Sequence, residues 1–253
     1  MRGCTTKLRI RVNIHVDRPW FGKQERRGHV ANNPKGTKTS GGLSRRRKLA
    51  QSKEGAEYAE RRAEIIASAA AAFQEEGYDK TTLNDIATRA GTDRASVYYY
   101  ASSKEELFQQ VCSGMLAANL AAAEEIAERS LSAPEKLELI MAHHLKTHEQ
   151  GYPQWTVLVQ ELRRVTDAST AWSRDEVKRM RRYEAVVRSI LEEGIEDGSL
   201  RSDIDPALAM HAIFGMLNWT HRWLRPGGRY DSAGVSKAFA EIALSGLAVS
   251  PAD

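Results

Sequence analysis

From Glu57 onward, apolar residues return every third or fourth position, and this period restricts the fold more than any other feature of the chain. Ile65, Ile66, Ala69, Ala70 and Phe73 follow it before Gly77 ends the run. Beyond Gly91 the breakers are sparse: Gly114, Pro134, Gly151 and Pro153. Helices are therefore expected near residues 104–130, 135–149, 154–166 and 171–197. Asp205-Pro206 reads as an N-cap followed by proline at the first helical position, so another helix should run from 205 to about 224. Pro226-Gly227-Gly228 stops it, and a last helix is expected over residues 232–247. No convincing strand pair appears in this body, so the chain reads as all-α with about nine helices.

Charge divides the chain unevenly. Residues 1–56 hold 15 Lys/Arg against 3 Asp/Glu, whereas the rest holds 22 against 30, for a net charge of +4. A basic arm thus precedes an acidic body, and such an arm strengthens attraction to nucleic acid through counterion release. Residues 8–16 alternate weakly (Leu8, Ile10, Val12, Ile14, Val16), but a lone strand has nothing to pair with. Breakers at Asn32-Asn33-Pro34 and Gly41-Gly42 lead us to read residues 1–55 as a disordered extension. It serves either as a DNA-tracking tail or simply as a solvated extension, including one added by an early start site. No run approaches the roughly 20 apolar residues of a membrane span, and no secretory leader is expected. Cys4 and Cys112 have no metal-ligand or paired-thiol spacing, which suits reduced thiols in a cytoplasmic protein.

Residues 82–100 hold the most informative motif. Thr82 can cap a short helix, since its hydroxyl can accept an exposed backbone N–H. Ile86 and Ala90 face inward, and Ala87 is small where a second helix must cross closely. Gly91, four residues after Ala87, permits the left-handed backbone of a tight inter-helix turn. Asp93 or Thr92 then caps the second helix, with Val97 and Tyr100 as its inward anchors. This is a helix-turn-helix, whose second helix suits the major groove of DNA. The DNA-facing set is Thr82, Thr92, Arg94, Ala95, Ser96, Tyr98, Tyr99 and Lys104. Arg94 best matches the two acceptors of a guanine edge, while Ser96, Tyr99 and Lys104 suit phosphate.

Ordinary helical hairpins imitate such a motif, but a larger block surrounds it. Gly77-Tyr78, Thr81-Thr82, Asp85-Ile86-Ala87, Ala90-Gly91, Val97-Tyr98-Tyr99-Tyr100 and Ser103-Lys104-Glu105-Glu106-Leu107 together closely resemble the N-terminal domain of TetR/AcrR family regulators. One departure is Tyr100-Ala101, where the family often has Phe or His. The resemblance implies a homodimer presenting two recognition helices to a palindromic operator, and a repressor released by a small ligand. It divides the chain into the extension at 1–55, a three-helix DNA-binding domain at 56–104 and a ligand-binding and dimerisation domain at 105–250.

The helix at 205–224 is apolar almost all round (Leu208, Met210, Ile213, Phe214, Met216, Leu217, Trp219, Trp223), as suits a helix enclosed by core and by a partner subunit. With the last helix it can form the homodimer interface. Trp219, Trp223, Arg222, Arg225 and Arg229 crowd its end. Their pattern looks like that of TetR-type repressors of fatty-acid and steroid breakdown, which implies an acyl-CoA thioester as effector. Arginines can meet the CoA phosphates and an apolar tunnel the acyl group. Core or interface filler explains the tryptophans as well, and the helix macrodipole explains the arginines. A second pocket wall is Trp155, Leu158, Val159 and Leu162, with Arg163 and Arg164 just beyond, faced by Tyr183, Val187 and Ile190, although any amphipathic helix shows such a stripe as core. The ligand set is thus Trp155, Val159, Arg163, Tyr183, Trp219, Arg222 and Trp223.

His143, His144 and His148 invite a metal reading, since His144 and His148 lie one helical turn apart, but a metal would need a third ligand such as Glu149 or His211; a solvated polar face explains them equally well. Lys178, Arg179, Arg181 and Arg182 pair more naturally with Asp175, Glu176 and Glu184 than with nucleic acid. Neither a phosphate-cradling loop, a nucleophile elbow nor a zinc signature appears, so no cofactor, metal or enzymatic activity is expected. The alternatives are a TetR-type repressor sensing another hydrophobic ligand or drug, and an architectural DNA binder that senses nothing. Clustered arginines favour an anionic ligand over a cationic one.

Overall fold

A computed structural model of the chain describes residues 55–167 and 170–247, which form eleven α-helices, one short 3-10 turn and no β-strand. In order they are α1 (Gly55–Glu76), α2 (Leu83–Arg89), α3 (Arg94–Tyr100), α4 (Lys104–Cys112), α5 (Met115–Ala127) and α6 (Ala133–Gln150). There follow α7 (Gln154–Gln160), α8 (Leu162–Asp167), α9 (Ala171–Glu196), α10 (Pro206–Trp219), the 3-10 turn Thr220–Arg222 and α11 (Ser232–Leu247). The alternation at residues 8–16, the basic arm and Cys4 lie outside the described residues. None of the described helices is long and apolar enough to cross a membrane.

Two expected helices are each divided, which accounts for the higher count. Gly114 takes φ +93°, a left-handed turn that separates α4 from α5. Glu161 ends α7 with its N–H on the Val157 carbonyl at 2.9 Å, and α8 restarts at once. The helix expected to reach residue 224 keeps α-geometry only to Trp219 and then tightens into the 3-10 turn. Its start is as read: the Asp205 carboxylate accepts the Leu208 N–H at 3.0 Å, with Pro206 next.

The first four helices share a small core. Ile65, Ala69 and Phe73 of α1 meet Ile86, Val97, Leu107 and Phe108, all essentially inaccessible to water. Phe73, Tyr78 and Phe108 pack ring to ring at 5.1–6.1 Å. In the larger core, α6 packs on α5, α9, α10 and α11. Its stripe of Leu137, Met141 and Leu145 is fully enclosed, each residue worth about 1.5–3 kcal/mol against an exposed position. Gly194 lets α9 approach the start of α6, because a Cβ there would meet the Ala133 Cβ at 2.6 Å and Leu200 at 2.7 Å. Between the two cores lies α7, which contacts α1 and α4 on one side and α6 on the other.

Candidate functional site

The link between α2 and α3 is locked by backbone and caps together. Thr82 and Asp85 bond reciprocally, the Thr82 N–H reaching the carboxylate at 2.8 Å. At the far end Gly91 takes φ +61°, which turns the Thr92 N–H back onto the Ala87 carbonyl at 2.9 Å. Asp93, rather than Thr92, caps α3, accepting the Ser96 N–H at 2.7 Å. These bonds to Asp85 and Asp93 hold both carboxyls below the usual carboxylate range. Val97 is the fully buried anchor of α3, while Tyr100 is only half-buried and lies against Tyr58 at 5.0 Å.

The structure separates the eight residues singled out for DNA. Arg94 and Ala95 are exposed at the start of α3, with Thr92, Ser96 and Tyr98 half-buried beside them. The Arg94 guanidinium donates to the Tyr98 hydroxyl at 2.9 Å and covers its ring at 5.3 Å, so the pair stands as one unit. Thr82 is exposed, its hydroxyl on Asp85. Tyr99 faces α1 instead, edge-on to Tyr58 at 6.1 Å, and helps line a groove of about 460 Å³ with Glu57, Glu60, Arg61 and Glu64. Carboxylates along that groove would repel phosphate. Lys104 also departs from the phosphate role expected of it. Its ammonium donates to the carbonyls of Tyr78 (2.8 Å) and Thr81 (2.9 Å) and lies 4.3 Å over the Tyr78 ring. It ties the start of α4 to the loop after α1.

The ligand set also divides. Trp155 and Tyr183 are buried and meet around His144: Trp155 lies edge-on at 4.8 Å and Tyr183 stacks at 6.1 Å. Phe214 of α10 adds a third ring, 5.1 Å from Tyr183, and His148 lies 6.1 Å from Trp155. Val159 is half-buried on α7, whereas Arg163 is exposed on α8. Trp219 and Trp223 are 57% and 40% exposed, so neither lines the interior. Arg222 lies 4.7 Å over Trp219, Arg225 covers Tyr152 at 5.3 Å and Arg229 covers Tyr230 at 5.1 Å. Three arginines thus collect at the end of α10, each on an aromatic ring. The exposed apolar residues Leu208, Trp219, Trp223, Tyr230 and Ile242 are carried by α10, α11 and the segment between them.

His144 and His148 are the functional candidates whose setting the sequence left open. Far from forming a solvated face, they are 2% and 1% exposed. Burial holds His144 at about 3, helped by the repulsion that a second proton on nearby His148 would bring, against the opposing effect of the Asn218 side chain. Burial likewise holds His148 at about 4, aided by His221 and Arg225. Both rings are therefore neutral at physiological pH. Nδ1 of His144 meets the Tyr183 hydroxyl at 3.3 Å, and Nδ1 of His148 meets Thr220 Oγ1 at 2.9 Å. Among the described residues no three His, Cys, Asp or Glu side chains gather as a metal would require. Glu149 is turned to the Ser232 hydroxyl instead. Cys112 is a buried free thiol whose pKa burial pushes up, so it is inert.

Comparison with known proteins covers both parts of this architecture. Residues 65–111 match the family described as bacterial regulatory proteins, tetR family, and residues 130–247 match the tetracyclin repressor-like C-terminal domain. The HTH-type transcriptional repressor KstR2 of Mycolicibacterium smegmatis is 30% identical over 196 residues, 77% of this chain and 94% of that protein. The fatty acid metabolism regulator protein of Bacillus subtilis is 26% identical, over 73% of this chain and 94% of that one. Among solved structures, the ketosteroid transcriptional regulator KstR2 of Mycobacterium tuberculosis superposes with a TM-score of 0.70 at 29% identity, covering 75% of this chain and 96% of that one.

Proposed function

Because the chain belongs to the TetR family of bacterial regulatory proteins and is homologous to the KstR2 repressors, we propose that it is a dimeric repressor whose operator binding is released by a hydrophobic, anionic effector. The observation that carries the DNA half is the exposed Arg94, bonded to the half-buried Tyr98, on a helix whose entry is fixed by Gly91 and Asp93. In this reading α3 enters the major groove, Arg94 reads a guanine edge, and Thr82, Thr92, Ser96 and Tyr98 meet phosphate, with Ala95 at the closest approach. Lys104 and Tyr99 hold the head together instead. The head spans residues 56–104 and the regulatory part 105–250, with the basic arm adding nonspecific attraction to DNA.

Two copies pair through α10 and α11, whose exposed Leu208, Trp219 and Ile242 give the apolar face such an interface needs. The effector's apolar part occupies the interior around Trp155 and Tyr183, and its anionic part meets Arg222 and Arg225 beyond the end of α10. An acyl-CoA thioester has both parts. Relatives named for fatty-acid metabolism and for ketosteroids support a hydrophobic effector. A filled interior displaces α7, which touches α1 and α4, and so changes the angle at which α3 is presented. No enzymatic step belongs to this reading, and the setting is the cytoplasm.

The test is binding of the full-length protein to DNA upstream of its own gene, with and without a panel of acyl-CoA thioesters. Selective binding that one thioester abolishes is the expected result. Selective binding indifferent to all thioesters removes the CoA effector. No selective binding there or in a genome-wide selection removes the repressor.

A further inference from the structure

Among the buried groups of the interior are an unpaired acceptor and an unpaired donor on neighbouring rings. Nε2 of His148 and the indole N–H of Trp155 are both enclosed and without a hydrogen-bond partner, and their rings lie 6.1 Å apart. The protonation of His148 follows from its neighbours. Thr220 directs its single hydroxyl proton to the Leu217 carbonyl at 2.5 Å, so its oxygen can only accept from Nδ1 of His148. A neutral imidazole with its proton on Nδ1 presents a bare lone pair at Nε2. Trp155, by contrast, can only donate. Thr156, next in the chain, adds a buried hydroxyl without a partner, and Nε2 of His144, whose ring lies 4.8 Å from Trp155, is another such atom.

Such a set is costly to enclose unless something completes it. A carbonyl oxygen satisfies Trp155 but leaves His148 Nε2 bare, and an ammonium does the reverse. A hydroxyl both donates and accepts. Beyond the pair and His144 lie Tyr183 and Phe214, whose rings suit an apolar skeleton. Resting on the effector reading above, we propose that His148 and Trp155 recognise a hydroxyl group on the effector's hydrophobic part, so that the regulator senses a hydroxylated rather than a plain hydrophobic molecule. Thr220, which holds His148, opens the 3-10 turn that ends in Arg222, and this places the hydroxyl toward the anionic end of the ligand.

The test measures, by titration calorimetry on the full chain, the affinities of 3-hydroxydecanoyl-CoA, 3-oxodecanoyl-CoA and decanoyl-CoA. The hydroxy compound should bind about tenfold or more tighter than the plain one, with the oxo compound between them. This ratio should fall to near one in His148→Leu and drop in Trp155→Phe, which keeps the ring and loses only the N–H. A ratio is immune to a general loss of folded protein. A ratio near one in the wild type, as an ordered water alone would give, overturns the proposal, and so does a preference that survives both substitutions. If no thioester binds, the CoA reading fails by itself, and 1-decanol then replaces the thioesters. A shift of the His148 Nε2 resonance in ¹⁵N-histidine NMR would support the hydroxyl site, and an unmoved resonance would overturn it.

Discussion

Removing both buried histidines should flatten the acid side of the stability profile. In the fold His144 is held at about 3 and His148 at about 4, against an ordinary value of 6.5. Between these limits the unfolded chain binds protons that the folded chain refuses. The contribution of each ring is therefore fully present above 6.5 and is lost as the pH falls toward the folded value. One pH unit below 6.5, at about pH 5.5, each ring has given up about 1.4 kcal/mol and the pair roughly 3 kcal/mol. The carboxyls of Asp85, Asp93 and Glu135, held low by their caps, act only in the carboxylate range. His143, also lowered by burial, adds to the trend, whereas Glu176 and Glu184, raised by burial, oppose it. All three remain in the variant and cancel in the difference. The assay is urea denaturation of the wild type and of His144→Phe/His148→Leu at neutral pH and at about pH 5.5, at one protomer concentration. The wild type should lose roughly 3 kcal/mol more than the variant between the two conditions. Equal losses would refute the assignment of neutral, proton-refusing rings to this interior.

Other perturbations test separate parts of the molecule. Arg94→Ala should cost about 1–3 kcal/mol of discrimination at one base pair in each half-site, measured by competition among operator variants; uniform weakening across all sequences would make Arg94 a phosphate contact. Gly194→Ala should lower stability by about 1–2 kcal/mol, because the clash with Ala133 and Leu200 outweighs the gain in helix propensity; a denaturation midpoint at or above wild type would contradict that geometry. Ile242, 65% exposed on α11, should be enclosed between two copies, so Ile242→Glu should shift sedimentation from dimer to monomer, and an unchanged dimer would place the interface elsewhere.

Features set by local chemistry were legible in the sequence. Gly91 needs no neighbour to announce a left-handed turn, and Asp205-Pro206 starts α10 where it was expected. Positions set by long-range contacts were not. Lys104 opens a helix, and nothing local foretells that three segments' worth of folding brings the Tyr78 and Thr81 carbonyls to its ammonium. Tyr99 reads as exposed until Tyr58 of α1 is seen beside it. Arg163 and Trp155 share one amphipathic pattern, yet a helix break at Glu161 separates them, and Trp155 is buried while Arg163 is exposed. The histidines carried a signal that charge and metal spacing obscured. His144 and His148 continue the buried stripe Leu137, Met141 and Leu145 at the same spacing, and the period alone places them inside.

Seven residues of α7 span roughly 10 Å, and that short rod touches both cores. At its end Glu161 accepts the Tyr78 N–H at 3.4 Å, and Arg164 just beyond pairs with Asp79 at 2.5 Å while covering the Tyr78 ring at 4.0 Å. Half of this joint belongs to the segment that precedes the helix-turn-helix and half to the segment that carries Trp155. A hybrid regulator assembled by grafting a foreign reading head onto this body would therefore inherit only one side of the joint. Its inducer would still bind and its head would still find an operator, but the two would no longer speak to each other unless Tyr78 and Asp79 travelled with Glu161 and Arg164.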